Sequence, residues 1–220
     1  MRLRDRYACF VLFAALASCA AYSATARADG PAPCSPESVG VDVSLGTDSG
    51  ALILGMALGQ TFVATDTLIR SVTVWRIPSE AANPSGMKFW LTELDSTGTP
   101  RTGLVVHEGP TIRVVSQDTS RPTPIQYVFD PPIGLPRPSQ YCFWVQVICG
   151  SYADLLLDPN DDYPGGHEWR TGRSSFGGCY LRDYPDSFVG FDLAFLIEFC
   201  TTAATPARGS TWGELKLRYR

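Results

Sequence analysis

The densest set of residues able to do chemistry lies between Asp158 and Arg182. Asp158, Asn160 and Asp162 alternate along DPNDDYPGGHEW, the spacing at which a calcium loop opens and offers side-chain oxygens. Tyr163 stands where such a loop needs glycine, and the distal bidentate glutamate is missing at its expected spacing. The competing reading is an Asp/Asn/Pro turn that solvates a long connection. A calcium ion here would be structural rather than catalytic, and no other cofactor is expected. Around these acids fall Tyr163, His167, Trp169, Arg170, Arg173, Tyr180 and Arg182. A sugar site sets an aromatic face against the apolar side of the ring and brackets its hydroxyls with charged or amide groups, so these types suit a glycan. Aromatics in a β-rich domain are more often packed inward, and that alternative stays open.

The rest of the inventory argues against an enzyme. There is no G-x-S-x-G, no H-E-x-x-H and no glycine-rich phosphate loop between strand and helix. A glycosidase needs two carboxylates at a defined separation, and Glu93, Asp95, Glu168 and Glu198 cannot be paired from spacing alone. His107 and His167 read as strand or loop residues.

The elements that must position these groups read as strands. Gln140 to Gly150 is apolar on both alternating faces, as expected of a strand covered on both sides in the middle of a sheet. Residues 59–64, 68–77, 87–94, 104–108, 111–115 and 125–129 are short and rich in β-branched and aromatic residues. Between them stand Asn, Asp, Gly and Pro; Gly109-Pro110 and Pro122 to Pro124 are expected to stop a ladder, and Phe129-Asp130-Pro131-Pro132 leads into a proline-punctuated crossing to the next strand. Phe191 to Cys200 alternates as a final strand with one wet side. Residues 51–57 are ambiguous between an edge strand and a packed loop, with order expected to begin near Ala51. No helical apolar stripe appears between residues 45 and 201. An all-β, two-sheet antiparallel sandwich of jelly-roll type is the expected fold, with a closed barrel as the runner-up.

Length and charge bound the remainder. The 220 residues carry a net charge of −4, and the first 28 hold four arginines against one aspartate, so residues 29–220 are more acidic still. That excludes nucleic acid as the expected partner, because phosphate binding needs a concentrated positive field. Residues 1–28 have the basic, apolar and small-x-small layout of an export signal, a signal helix ending at Ala28. Leu16-Ala17-Ser18-Cys19 offers the alternative of a lipidated Cys19. No later stretch is long enough to span a bilayer. Residues 29–50 read as an exposed segment leading into the domain at 51–201, and 202–220 as a short basic tail, either a docking tag or a disordered terminus. In an oxidising compartment the five remaining cysteines make two disulfides with one thiol left over, which leaves fifteen arrangements open. The preferred pairing is Cys149 with Cys179 and Cys34 with Cys200, leaving Cys142 buried as a small hydrophobe.

Gly59-Gln60-Thr61-Phe62, Ala64-Thr65-Asp66-Thr67, Phe129-Asp130-Pro131-Pro132, Tyr163-Pro164-Gly165-Gly166 and Asp192-Leu193-Ala194-Phe195 together resemble a β-sandwich module of bacterial exported proteins. That module is similar to the galactose-binding-like and carbohydrate-binding jelly rolls, and the resemblance covers about residues 57–200. It implies binding or display at the cell surface, with glycan or an envelope protein as partner and no catalytic residue to carry over. A purely structural surface protein is the alternative.

Overall fold

The computed structural model describes residues 36–53, 55–78, 85–114, 118–148, 151–171, 186–188 and 190–200. The export signal, the basic tail, Cys34, Cys149, Cys179, Arg173, Tyr180 and Arg182 lie outside these residues. The described chain forms two antiparallel sheets packed as a sandwich, compatible with a jelly-roll-like fold, without an α-helix among the described residues. Among them, no helix is long and apolar enough to cross a membrane.

One sheet has six strands in the order β11 (Asp186–Phe188), β10 (Glu168–Arg170), β3 (Ala57–Val63), β8 (Gln140–Val147), β5 (Ser85–Leu94) and β6 (Pro100–Val114). The strand read as doubly covered is indeed central: β8 lies between β3 and β5, and Tyr141 to Val147 are all buried. The other sheet runs β1 (Pro36–Val41), β13 (Phe195–Cys200), β4 (Leu68–Arg76), β9 (Tyr152–Asp158) and β12 (Asp192–Leu193). In addition, β2 (Asp48–Ile53) pairs with β9, and β7 (Thr123–Gly134) pairs with β4. Between the sheets, Phe62, Phe89, Phe143, Phe195 and Phe199 are fully buried, and their rings meet at centroid distances of 5.5 to 6.5 Å. Burying an aromatic side chain stabilises by about 1.5–3 kcal/mol, so this stack is the main source of cohesion between the layers.

Several boundaries differ from expectation. Strands β1 and β2 lie ahead of Ala51, where order was expected to begin, because they are held by backbone ladders to β13 and β9 rather than by an apolar pattern of their own. Residues 104–108 and 111–114 belong to one continuous strand: β6 runs through Gly109-Pro110. It is an edge strand, where a proline's missing N–H costs no ladder bond on the unpaired side. The same holds for Pro131 and Pro132 in β7, where the Asp130–Pro131 peptide is cis. The connection between residues 150 and 191 carries β9, β10 and β11, and the final strand divides at Ala194, so that β12 pairs with β9 and β13 with β4. The face expected to be wet is partly dry there, since Asp192 and Ala194 are buried.

Candidate functional site

Residues 159–167 link β9 to β10, and two buried carboxylates, Asp158 and Asp192, hold the start and the middle of this loop. Asp158, fully buried, accepts the backbone N–H of Asn160 at 3.0 Å through Oδ1 and that of Asp162 at 3.3 Å through Oδ2. Both oxygens therefore serve the turn, which is the Asx chemistry the Asp/Asn spacing offers as an alternative to calcium. Asp161 sits at φ 55, the left-handed region that aspartate tolerates better than most residues. The Asp162 pKa is raised by desolvation, then by its hydrogen bond with Asp158 and by the nearby charges of Asp158 and Asp161. Among the described residues no group of three His, Cys, Asp or Glu side chains is placed to hold a metal ion.

Asp192 lies opposite Asp158 in the β9–β12 ladder and holds the middle of the loop. Its Oδ2 accepts Tyr163 N–H at 2.8 Å and its Oδ1 accepts Gln60 Nε2 at 2.6 Å, while Gln60 Oε1 accepts Leu193 N–H at 2.9 Å. Gln60 belongs to β3 in the six-stranded sheet and Asp192 to the seven-stranded sheet, so this clasp joins the two layers. Burial raises the Asp192 carboxyl to about 6; the Tyr163 and Gln60 hydrogen bonds oppose the rise, and the charges of Asp161 and Asp158 add to it. Tyr163 completes the clasp: its hydroxyl accepts Val63 N–H at 3.0 Å, and its ring packs edge-on against Phe195 with centroids 5.3 Å apart.

The Tyr163-Pro164-Gly165-Gly166 run has a steric cause. A Cβ at Gly166 would fall 2.0 Å from the Thr61 carbonyl oxygen, so only glycine lets the loop lie this close to β3. Thr61 then donates its N–H to the His167 carbonyl at 3.2 Å and accepts His167 N–H on Oγ1 at 2.9 Å, and Gln140 Nε2 donates to Gly165 O at 3.0 Å. The result is a short loop tied at several points that exposes Asn160, Asp161, Asp162 and Pro164.

The four described residues expected to contact a ligand, Tyr163, His167, Trp169 and Arg170, stand together but are not equally accessible. His167 is half-buried and stacks on Trp169 at 5.0 Å, and burial lowers its imidazole pKa. Trp169 is only 7% exposed, and its Nε1 is buried without a hydrogen-bond partner among the described residues. Arg170 is committed to Glu168, with Nε to Oε1 at 2.6 Å and Nη2 to Oε2 at 3.2 Å. Glu168 is fully buried, and that burial raises its pKa against the opposing pull of Arg170.

Sequence reasoning missed the company Trp169 keeps. On the face of the six-stranded sheet turned away from the inter-sheet core, Trp90 lies opposite Trp144, Trp144 opposite Gly59, and Gly59 opposite Trp169. The Trp144 indole covers Gly59 so closely that a Cβ there would fall 2.5 Å from Cε3. Trp144 donates Nε1–H to Thr92 Oγ1 and Trp90 donates to Gln146 Oε1, each at 3.0 Å. Lys88 sits 4.3 Å over the Trp90 ring and pairs with Glu108. Trp144 is fully buried and Trp90 half-buried, so this row is mainly packed structure. The period-2 alternation puts each tryptophan on a face, but only strand register makes them neighbours.

Of the cysteines, Cys142 is a buried free thiol, as its apolar surroundings suggested, while Cys200 is disulfide-bonded. No protein-family model and no curated protein matches this chain.

Proposed function

We propose that the protein is an exported, non-catalytic binding or display module of a bacterial cell envelope, with glycan as its ligand class. The observation that supports this reading is the loop of residues 159–167, tied down through Asp158, Asp192 and Thr61 and presenting Asn160, Asp161, Asp162 and His167 at the surface. Carboxylate and amide oxygens held in fixed positions suit vicinal hydroxyls, and a loop already ordered loses little entropy when it binds. Asp158 and Asp192 are engaged in turn and inter-sheet hydrogen bonds, which assigns them to positioning in this reading rather than to acid–base work.

The second reading is a structural surface protein without a small ligand, and the burial of Trp169 and Trp144 favours it. A glycan-array screen of the full chain, with and without calcium, separates the two. On the binding reading a defined set of glycans is retained, and Asp161→Ala and His167→Ala each weaken retention by tenfold or more. Retention of no glycan under either condition gives the structural reading.

A further inference from the structure

The sandwich is open along one seam, where β6 ends the six-stranded sheet and β7 ends its side of the seven-stranded sheet. Edge strands turn a row of backbone groups outward without a ladder partner, and natural proteins cover or blunt them. A groove of about 430 Å³ lies between these two edges. Phe129 is buried beneath it, so the apolar surface it offers comes from Val128, 59% exposed, and from the exposed Pro110 and Pro131. Among the described residues that line the groove, Asp130 alone carries a charge, and it is exposed. His107 also lines it; burial lowers the imidazole pKa against the charge of Glu108, so the ring is neutral at pH 7 and adds no positive charge.

Residues 201–220 lie outside those described, and their sequence complements this seam. Apolar Leu215, Leu217 and Tyr219 alternate strictly with basic Lys216, Arg218 and Arg220, which in an extended chain separates an apolar face from a basic one. Strand β13 delivers the tail to the right place. Phe199 lies opposite Ile69, and Ile69 opposite Ile133, so the chain leaves Cys200 two strand spacings, about 10 Å, from the end of β7 that closes one end of the groove. Residues 201–213 reach more than about 40 Å when extended, several times that gap. Strands β13 and β7 both run antiparallel to β4, so a chain that turns back after Cys200 meets β7 antiparallel.

We propose that the seam groove is the docking site of the chain's own C-terminal tail, with residues 214–220 extended along it, Leu215, Leu217 and Tyr219 against Val128 and the prolines, and Lys216 beside Asp130. Pro131 and Pro132 have no N–H to donate, so contact with that part of β7 is through side chains. The docked tail covers the free edges of both sheets and so guards them against strand pairing between copies. This role is separate from the binding reading proposed above and does not depend on it.

The test is zero-length carbodiimide cross-linking of the full chain, read by peptide mass spectrometry, since Lys88 and Lys216 are the only lysines in the sequence. The Lys88–Glu108 ion pair serves as the internal control. The monomer fraction is expected to show Lys216 joined to Asp130, with the yield falling tenfold or more in Leu217→Ser, which keeps both reacting groups, and vanishing in Asp130→Asn. Should Asp130→Asn not fold, Leu217→Ser and Tyr219→Ser carry the test, because both lie outside the described strands. Lys216 joined chiefly to Glu37, Asp48 or Asp161, or to no carboxylate while the Lys88–Glu108 product forms, overturns the proposal. A Lys216–Asp130 product confined to dimers, with isotope-labelled and unlabelled chains mixed, gives the groove to the tail of a second copy and overturns docking within one chain.

Discussion

Asp192→Asn isolates the electrostatic cost of the clasp between the two sheets. In the folded protein the Asp192 carboxyl titrates at about 6, against an ordinary value of 3.8. Between these values the folded state holds a proton that the unfolded state has released, so stability falls as pH rises through the interval and is greatest below it. A rise of about two pKa units corresponds to about 3 kcal/mol. Other groups titrate nearby: Glu168 and Asp162 are also raised, whereas Asp95 is held at about 2, mainly by its hydrogen bond with Thr97, and acts below pH 4 in the opposite direction. The informative quantity is therefore the difference between wild type and Asp192→Asn. Asparagine is uncharged but loses one of the two acceptor positions, because its amide group meets either Gln60 Nε2 or Tyr163 N–H. That loss is constant with pH, so it offsets the two profiles without changing their slopes. Urea unfolding followed by tryptophan fluorescence at pH 4, 5, 6 and 7 should show wild-type stability falling relative to the variant by about 2.4 kcal/mol from pH 4 to pH 7, the part of the full linkage that develops in this interval. Profiles that stay parallel within about 0.5 kcal/mol, against a shift of about 1.4 kcal/mol per pKa unit, would falsify the account of Asp192 as a buried, charge-penalised group.

Three further expectations rest on separate contacts. Gly59→Ala places a methyl 2.5 Å from the Trp144 ring, and denaturant unfolding should show a loss of about 1–3 kcal/mol; unchanged stability would mean that the indole is not seated on β3. Arg76 is buried with its Nε lacking a hydrogen-bond partner among the described residues, and burial lowers its pKa against the charge of Asp154. Arg76→Met should therefore change stability by less than about 2 kcal/mol, because half-buried Asp154 regains water once the guanidinium is gone, and a larger loss would mean that the Asp154 charge depends on Arg76. The Cys142 thiol, pushed well up by complete burial, should resist iodoacetamide in the native protein at pH 8 and react after denaturation, as read by peptide mass; rapid native labelling would contradict its place beneath Trp144 and Trp169.

The fold was legible in the sequence where side-chain alternation reports burial, and hidden where backbone pairing does. Strand β8 declares itself because both its faces are apolar. Strand β1 does not, because its contribution is a ladder to β13 that requires smallness rather than hydrophobicity: a Cβ on Gly40 would lie 2.1 Å from the Phe195 carbonyl oxygen. Strand β9 was hidden for a different reason. Its Leu155-Leu156-Leu157 run has no period, since Leu155 and Leu157 enter the core while Leu156 meets the Gly46 turn on the opposite side. At the candidate site the residue types were legible and the accessibility was not. Trp169 has the composition of a ligand contact, yet its register opposite Gly59 buries it, and no local pattern encodes that register.

The same geometry explains why buried carboxylates are tolerated beside an exposed acidic loop. An apolar pair at Asp158 and Asp192 would remove a desolvation penalty, but it would also release the N–H groups of Asn160, Asp162 and Tyr163 that those carboxylates hold. Freed, the loop would sample many conformations, and binding through it would cost about 0.5–1.5 kcal/mol for each side chain ordered at the time of contact. Holding the turn in advance moves that cost into the folding equilibrium, where a large aromatic core between the sheets can absorb it. The Asp192 clasp also joins the two sheets, so it serves the sandwich as well as the loop. On the binding reading proposed above, its further effect is to fix the shape of an exposed polar loop before contact, at a cost in stability at neutral pH.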